Sequence, residues 1–483
     1  MRDFKLFAQR VGLTGVTNLL SSTSGIILLP ILTKNLSVGD YGIWSQVNVT
    51  LALLSAVVLL GLPSSMIRFL ASESDKKIIQ EGFYSIFVVV LLSASISAFL
   101  AYLLSGTISA ALFDGNPAIA NLLPLIVFID PLNNILFNYF RTYQQIKRHS
   151  LFLLANAYLA MLFIAYFVVS GYGIGGAIIG QLITKLILFL MMFSLVVSEI
   201  GMKVPDLRNI RTYLGFGLPI IPGNLAGWVI NSSDRYLIGL FLGTAFVGYY
   251  SPGYILGSII NLFTAPLSFM LPSILCKYYD RGKSDEVKMI LRFSLKYFLA
   301  IAVPAAFGLS LLSRPILEVL STPAIAANGY LITPLIALSS LMLGIFAVIS
   351  NIIVLEKKTG LSSGIWIVAA LLDMALNFIL IPRLNIIGAA LTALLTFSFV
   401  LVMTIYYSTK YLCFDIDYEF ILKSLMASII MSLAITRWVP VGLLQVLIAV
   451  CIGVAVYFAV LLLLRGLTRQ ELMFFADIFW NRT

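Results

Sequence analysis

An all-α, polytopic membrane fold follows from three features of the sequence. Of its 483 residues, 60% are hydrophobic and only 11% charged, against about half and about a quarter in soluble chains. The apolar residues run in continuous stretches, about twice as long as the roughly ten-residue alternating spans of a membrane barrel. Almost every connection between stretches is under 15 residues, so no soluble domain is inserted. A water-soluble fold of this composition would leave apolar surface facing solvent. Soluble enzymes, secreted disulfide scaffolds and nucleic-acid binders are thereby excluded.

At about 20 apolar residues per crossing, the chain holds about 14 spans. The first, 11–33, follows a basic stretch resembling the start of a signal peptide. It is too rich in Ser, Thr and Gly for one, and no small-residue cleavage site follows, so it is read as a retained span. Spans 41–62, 83–105, 118–139, 150–170 and 174–197 complete a first set of six. A second set follows at 213–241, 247–275, 289–312, 328–355, 361–381 and 386–407, and two further spans at 419–437 and 441–464. With the N-terminus cytoplasmic, 25 of the 31 Lys and Arg lie inside and five outside, while Lys185 falls within span six. That bias sets orientation. It predicts a multi-pass protein of the cytoplasmic (inner) membrane with both termini cytoplasmic.

An internal repeat recurs at an offset of about 206–212 residues. Asn18-Leu19 returns as Asn224-Leu225, and Val38-Gly39-x-Tyr41 as Val247-Gly248-x-Tyr250. Leu103-Leu104-Ser105 matches Leu311-Leu312-Ser313, and Pro124-Leu125-Ile126 matches Pro334-Leu335-Ile336. Lys147-Arg148 falls on Lys357-Lys358, and Gly176-Ala177 on Gly388-Ala389. Six spans separate the equivalents, so the copies share one orientation, the plan of parallel-repeat transporters. The expected organisation is an N-lobe over 1–205, a C-lobe over 206–412, and two extra helices with a cytoplasmic tail over 413–483.

Two six-span lobes plus two helices resemble the multidrug/oligosaccharidyl-lipid/polysaccharide exporter superfamily. Gly217-Leu-Pro219, then Ser233-Asp-Arg235-Tyr-Leu-Ile-Gly239 and Val247-Gly-Tyr-Tyr250, are similar to its O-antigen and polysaccharide flippase branch. So is Ile381-Pro382 followed by Ile387-Gly-Ala-Ala390. The resemblance implies alternating access and a lipid-linked oligosaccharide as substrate.

No Walker-type loop, HExxH or nucleophile–base pair occurs, so neither ATP hydrolysis nor other enzymatic chemistry is expected. Cys276, Cys413 and Cys451 are isolated, and His149 has no metal-site neighbour. No metal or cofactor is called for. What remains is polar residues at membrane depth, where a charge costs about 2.5–3.5 kcal/mol and therefore meets a partner or a wet cavity.

In span six, Gln181 and Lys185 share a face one turn apart. Lys185 either snorkels or pairs with Asp130, or else it is a cationic ligand for phosphate. In span seven, Asn224, Trp228, Asn231 and Arg235 form one helical stripe. Arg235 either anchors at the interface beside Asp234 or captures a pyrophosphate with its planar fork. Span four aligns Asp130, Asn134 and Asn138, and span eleven sets Asp373 one turn from Asn377. Either aspartate could bind a coupling ion or proton, or partner another helix. Arg68 and Arg141 lie at cytoplasmic ends, as positive-inside anchors or as collectors of an anionic headgroup. Gly176 and Gly180 permit close helix packing.

The expected function is transport of a polyprenyl-pyrophosphate-linked oligosaccharide across the membrane, by lobes that rock between inward- and outward-open states. A polysaccharide polymerase or ligase would act as partner, and membrane lipids surround the chain. A cation-coupled drug exporter is the first alternative, against which the basic residues at depth argue. A membrane glycosyltransferase or polymerase is the second, against which the lack of a large extramembrane loop argues.

Overall fold

The computed structural model describes residues 2–73, 75–437, 440–466 and 471. The predicted cytoplasmic tail beyond Gly466, with Arg469 and Arg482, lies outside the described residues apart from Glu471. The described residues are helical throughout, with no strand among them. Twelve helical stretches are long and apolar enough to cross a bilayer.

Two of those stretches are too long for one crossing. Ile146–Ile200 has 55 residues and Thr359–Ser408 has 50, whereas about 20 suffice. Each is broken where two of the predicted spans meet. In the first, a π-turn over Val168–Tyr172 carries Gly171 at φ 87°, and Gly173 follows at φ 59°, ψ −151°. In the second, Asn385 takes φ 54°, ψ −143°. Gly173 and Asn385 stand 212 residues apart and share one backbone conformation. Three residues after each break sits a glycine that lets the chain fold close. A Cβ on Gly176 would lie 2.5 Å from the Tyr172 side chain, and one on Gly388 would lie 2.3 Å from the Leu380 carbonyl. A Cβ on Gly180 would come within 2.8 Å of the Ile164 amide nitrogen, so this glycine pair does serve close packing.

The repeat is written in the backbone elsewhere too. Helices Lys76–Leu103 and Ser284–Leu311 each span 28 residues, and each is followed by one of eight residues, Ser105–Leu112 and Ser313–Leu320. The hinge residues match as well: Leu104 is at φ −91°, ψ 6° and Leu312 at φ −89°, ψ 4°. All these bounds differ by 208. In the basic loops the equivalence is Gln144 with Lys357, at φ 54° and 56°. The sequence pairing of Lys147 with Lys357 is therefore three residues out of register.

The helices of the first part of the chain are α1 (Arg2–Asn35), α2 (Val38–Val58), α3 (Leu62–Leu70), α4 (Lys76–Leu103), α5 (Ser105–Leu112) and α6 (Pro117–Thr142). They continue with α7 (Ile146–Phe167), α8 (Gly173–Ile200), α9 (Ile210–Gly217), α10 (Ile221–Leu242) and α11 (Thr244–Gly257). Starts and stops follow capping chemistry. Ser37 accepts from the Asp40 amide at 3.0 Å to open α2, and Asp75 accepts from Lys77 at 2.8 Å to open α4. Gly201 ends α8 at φ 81° and Gly243 ends α10 at φ 95°.

The chain forms two compact units, Met1–Ser251 with Ala370–Ala389, and Pro252–Ala369 with Ala390–Thr483. The first packs Leu62, Met66, Phe83, Ile135, Phe140 and Met192 between α3, α4, α6 and α8. In the second, Val287, Ala302, Val348, Ala427 and Tyr457 form the core, bringing Tyr418–Thr436 and Gly442–Leu463 onto Ser284–Leu311. The outward faces are apolar, as at Leu190 and Leu463, because lipid rather than water covers them.

Inside the first unit, α4 fastens the segment that leads to α9. Gln80 donates to the Ile200 carbonyl, Tyr84 to Gly201 at 2.7 Å, Ser85 to Asp206 at 2.5 Å, and Glu81 pairs with Lys203 at 2.7 Å. At the other end of α2, its first turns meet those of α11 reciprocally. A Cβ on Gly42 would lie 1.9 Å from the Thr244 carbonyl oxygen, and one on Gly248 2.1 Å from that of Val38. Both contacts relate residues through an offset of 206, and Ser45 hydrogen-bonds Ser251 at 2.8 Å on that same offset. The Val-Gly-x-Tyr pairing seen in sequence is again three residues off.

Candidate functional site

Three helices of the first unit meet along a polar seam. Asn48 and Ser55 lie two turns apart on α2, Asp130 and Asn133 on α6, and Gln181 and Lys185 one turn apart on α8. Lys185 Nζ donates to Asp130 Oδ1, and Ser55 Oγ donates to Asp130 Oδ2 at 2.7 Å. The two ionic side chains are only 14% and 22% exposed. Asn133 Nδ2 donates to the Lys185 carbonyl at 2.9 Å, holding α8 to α6. Gln181 Nε2 reaches Asn48 Oδ1 at 3.3 Å, while its own Oε1 is buried without a protein partner. Asn134 accepts from Asn138 at 2.8 Å. Of the readings open for Lys185, pairing with Asp130 is the arrangement found.

A second polar cluster lies on α10. Arg235 and Asp234 are both buried, and Arg235 Nη1 donates to Asp234 Oδ1 at 3.2 Å and to the Asn231 carbonyl at 3.1 Å. Tyr250 on α11 donates to the other Asp234 oxygen at 2.5 Å. Arg235 lies 5.9 Å from the centre of the Tyr250 ring. Asp373, 2% exposed, accepts from Ser233 at 3.3 Å and from Asn377 at 2.9 Å. Between the clusters, Trp228 Nε1 donates to the Val49 carbonyl at 3.1 Å and Tyr236 meets Thr50 at 2.5 Å. The helix α2 therefore touches both.

The expected stripe on α10 is only partly realised. Arg235 turns inward, Trp228 is bound to α2, and Asn224 and Asn231 are exposed, with Asn231 Nδ2 donating to Gly227 at 2.8 Å. Arg68, at the end of α3, and Arg141, at the end of α6, are exposed and form no ion pair among the described residues. The structure brings neither into a cluster. Sequence reasoning missed Ser55, Asn48 and Ser233. Their signal is positional, since Ser55 lies seven residues after Asn48. Among the described residues no group of His, Cys, Asp and Glu could hold a metal ion. Chemically, each cluster sets a cation against a neighbouring carboxylate, Lys185 against Asp130 and Arg235 against Asp234.

The family model described as "Polysaccharide biosynthesis protein" matches residues 31–324. Among curated proteins, the chain is similar to the probable low-salt glycan biosynthesis flippase Agl15 of Haloferax volcanii, 21% identical over 54% of this chain and 56% of that one. It is also similar to the probable flippase AglR of the same organism, 23% identical over 48% of each. The chain thus spans about half the length of the curated relatives it matches. Among solved structures, the lipid II flippase MurJ in an inward closed conformation superposes with a TM-score of 0.76 at 17% identity, covering 96% of this chain and 99% of that one. An inward-facing multidrug resistance MATE transporter of the MOP superfamily gives 0.64 at 13% identity over 82% and 94%. These likenesses give the fold.

Proposed function

The chain belongs to the polysaccharide biosynthesis protein family, and on that premise we propose that it is a flippase. Its substrate would be a polyprenyl-pyrophosphate-linked oligosaccharide, an O-antigen or other surface-polysaccharide repeat unit, carried outward across the cytoplasmic membrane. Flippase relatives support the reading. The observation that carries it is the part-buried Lys185 in a seam of amides and hydroxyls, suited to desolvating a pyrophosphate while Asn and Gln meet sugar hydroxyls. The lobes over 1–205 and 206–412 would rock between inward- and outward-open states, with substrate biasing them through differential affinity. Asp130 and Asp373 would serve any ion coupling, and a polymerase or ligase would consume the product. The chain itself would carry out no covalent chemistry.

The test is flipping of a fluorescent lipid-linked oligosaccharide by purified protein in liposomes. Lipid becoming accessible to a membrane-impermeant quencher supports the proposal. Export of organic cations with no lipid movement would instead favour the drug-exporter reading.

A further inference from the structure

We infer that Asp130 is an internal counter-ion which the substrate must displace from Lys185, and that this exchange makes the site choose ligands by charge, taking a diphosphate and refusing monoanionic phosphodiesters. The inference rests on the flippase reading above and deepens it by naming how one site discriminates.

Both Asp130 oxygens are engaged, one by the Lys185 ammonium and the other by Ser55 on α2. The carboxylate is therefore held from a third helix and does not follow the lysine. Lys185 is fixed differently: Asn133 pins its backbone carbonyl, while the ammonium sits on a flexible four-carbon stem with three donors. The lysine can swing to another anion and the aspartate stays.

A monoanion entering the site gains one attraction to Lys185 and loses the one already present. It also leaves Asp130 with only Ser55, so the swap is unfavourable. A diphosphate ester brings more than one negative charge and several acceptor oxygens, and it can outbid a single carboxylate. The distinction matters in a bilayer, where monoanionic phosphodiester headgroups surround the protein at high local concentration. A bare lysine at depth would collect them.

The experiment uses the full chain in detergent and measures binding of geranylgeranyl diphosphate and, separately, of short-chain phosphatidylglycerol. Wild type is expected to bind the diphosphate and to discriminate strongly against the phosphodiester. Asp130→Asn should raise affinity for both ligands by about tenfold, a common size for a coupling between two binding equilibria, so that the phosphodiester refused by wild type becomes measurably bound. Ser55→Ala keeps every charge and frees only one carboxylate oxygen. Because Ser55 is the partner that holds Asp130 once Lys185 has left, this variant should instead lower both affinities, which keeps the test decisive even if the Asn variant misfolds. If wild type binds the diphosphate and Lys185→Gln abolishes this, yet Asp130→Asn does not tighten binding and Ser55→Ala does not weaken it, the counter-ion role is overturned and the flippase reading stands. No diphosphate binding by wild type overturns both.

Discussion

Removing either cation should cost transport more than folding. Lys185→Ala and Arg235→Ala are expected to abolish surface polysaccharide while lowering protein level only in part, since each strands a carboxylate, read by glycan staining beside an immunoblot. Arg235→Lys should restore only part, because an ammonium keeps the point charge but not the planar fork that matches pyrophosphate oxygens bidentately. Asp130→Asn strands the Lys185 charge and should lower the thermal midpoint, while adding Lys185→Gln should recover it, since losing a whole buried pair costs less than losing half. Wild-type glycan from both alanine variants would reduce these cations to packing. The charged members were legible in the sequence because an ionised side chain in a span is costly enough to stand out. Ser55 and Ser233 were not, since a membrane serine usually bonds the carbonyl one turn back, as Ser95 and Ser339 do. Only the fold tells which serine looks across instead.

At the scale of elements, the turn inside Thr359–Ser408 carries strain that its counterpart avoids. Asn385 holds φ 54°, ψ −143°, a region that only glycine enters freely, where another residue costs about 1–3 kcal/mol. Asn385→Gly should therefore raise the thermal midpoint in detergent and Asn385→Val should lower it; the reverse order would show that the side chain, not the backbone, decides. A second expectation concerns the cap of Tyr418–Thr436. Burial would raise the Asp417 carboxyl, but the Phe420 amide, Lys296 and Arg292 together hold it below the ordinary carboxylate range. A depressed folded value means its stabilisation is full above the ordinary carboxylate range and fades as pH falls through the lowered one. Asp417→Asn should flatten the acid limb of a melting-temperature profile. Hydropathy placed the long helices because lipid imposes their length, though it began the first at 11 and the third at 83 where the helices begin at Arg2 and Lys76. It separated the spans on either side of Asn385 but said nothing of the breaks at Leu104 and Leu312, which rest on one or two torsion angles each. Two of the repeat pairings slipped by three residues for a related reason: apolar helices offer many near-equivalent matches.

For the molecule as a whole, orientation is the first thing to measure. A reporter active only in the cytoplasm should signal when fused after Thr483 and stay silent after Gly115; the opposite pattern would invert every inside–outside assignment. The second measurement asks whether the α2–α11 seam opens during transport. In a background without the native cysteines, Ser45→Cys with Ser251→Cys should cross-link on oxidation and stop flipping until reduced. Unaltered flipping by the cross-linked protein would mean the seam stays shut throughout the cycle.

That seam also speaks to ancestry. Residue 42 meets 244 while 248 meets 38, and 45 meets 251, so each contact has a mirror partner under a single numerical shift. Such reciprocity is the signature of two identical subunits facing each other across a dyad. A half-length forebear that paired with itself would have met its twin along this line, with one glycine serving twice. In a single fused chain the two glycines would be free to change separately. That Gly42 and Gly248 are both still glycine fits the closeness of the backbones, which leaves neither side room for a methyl group.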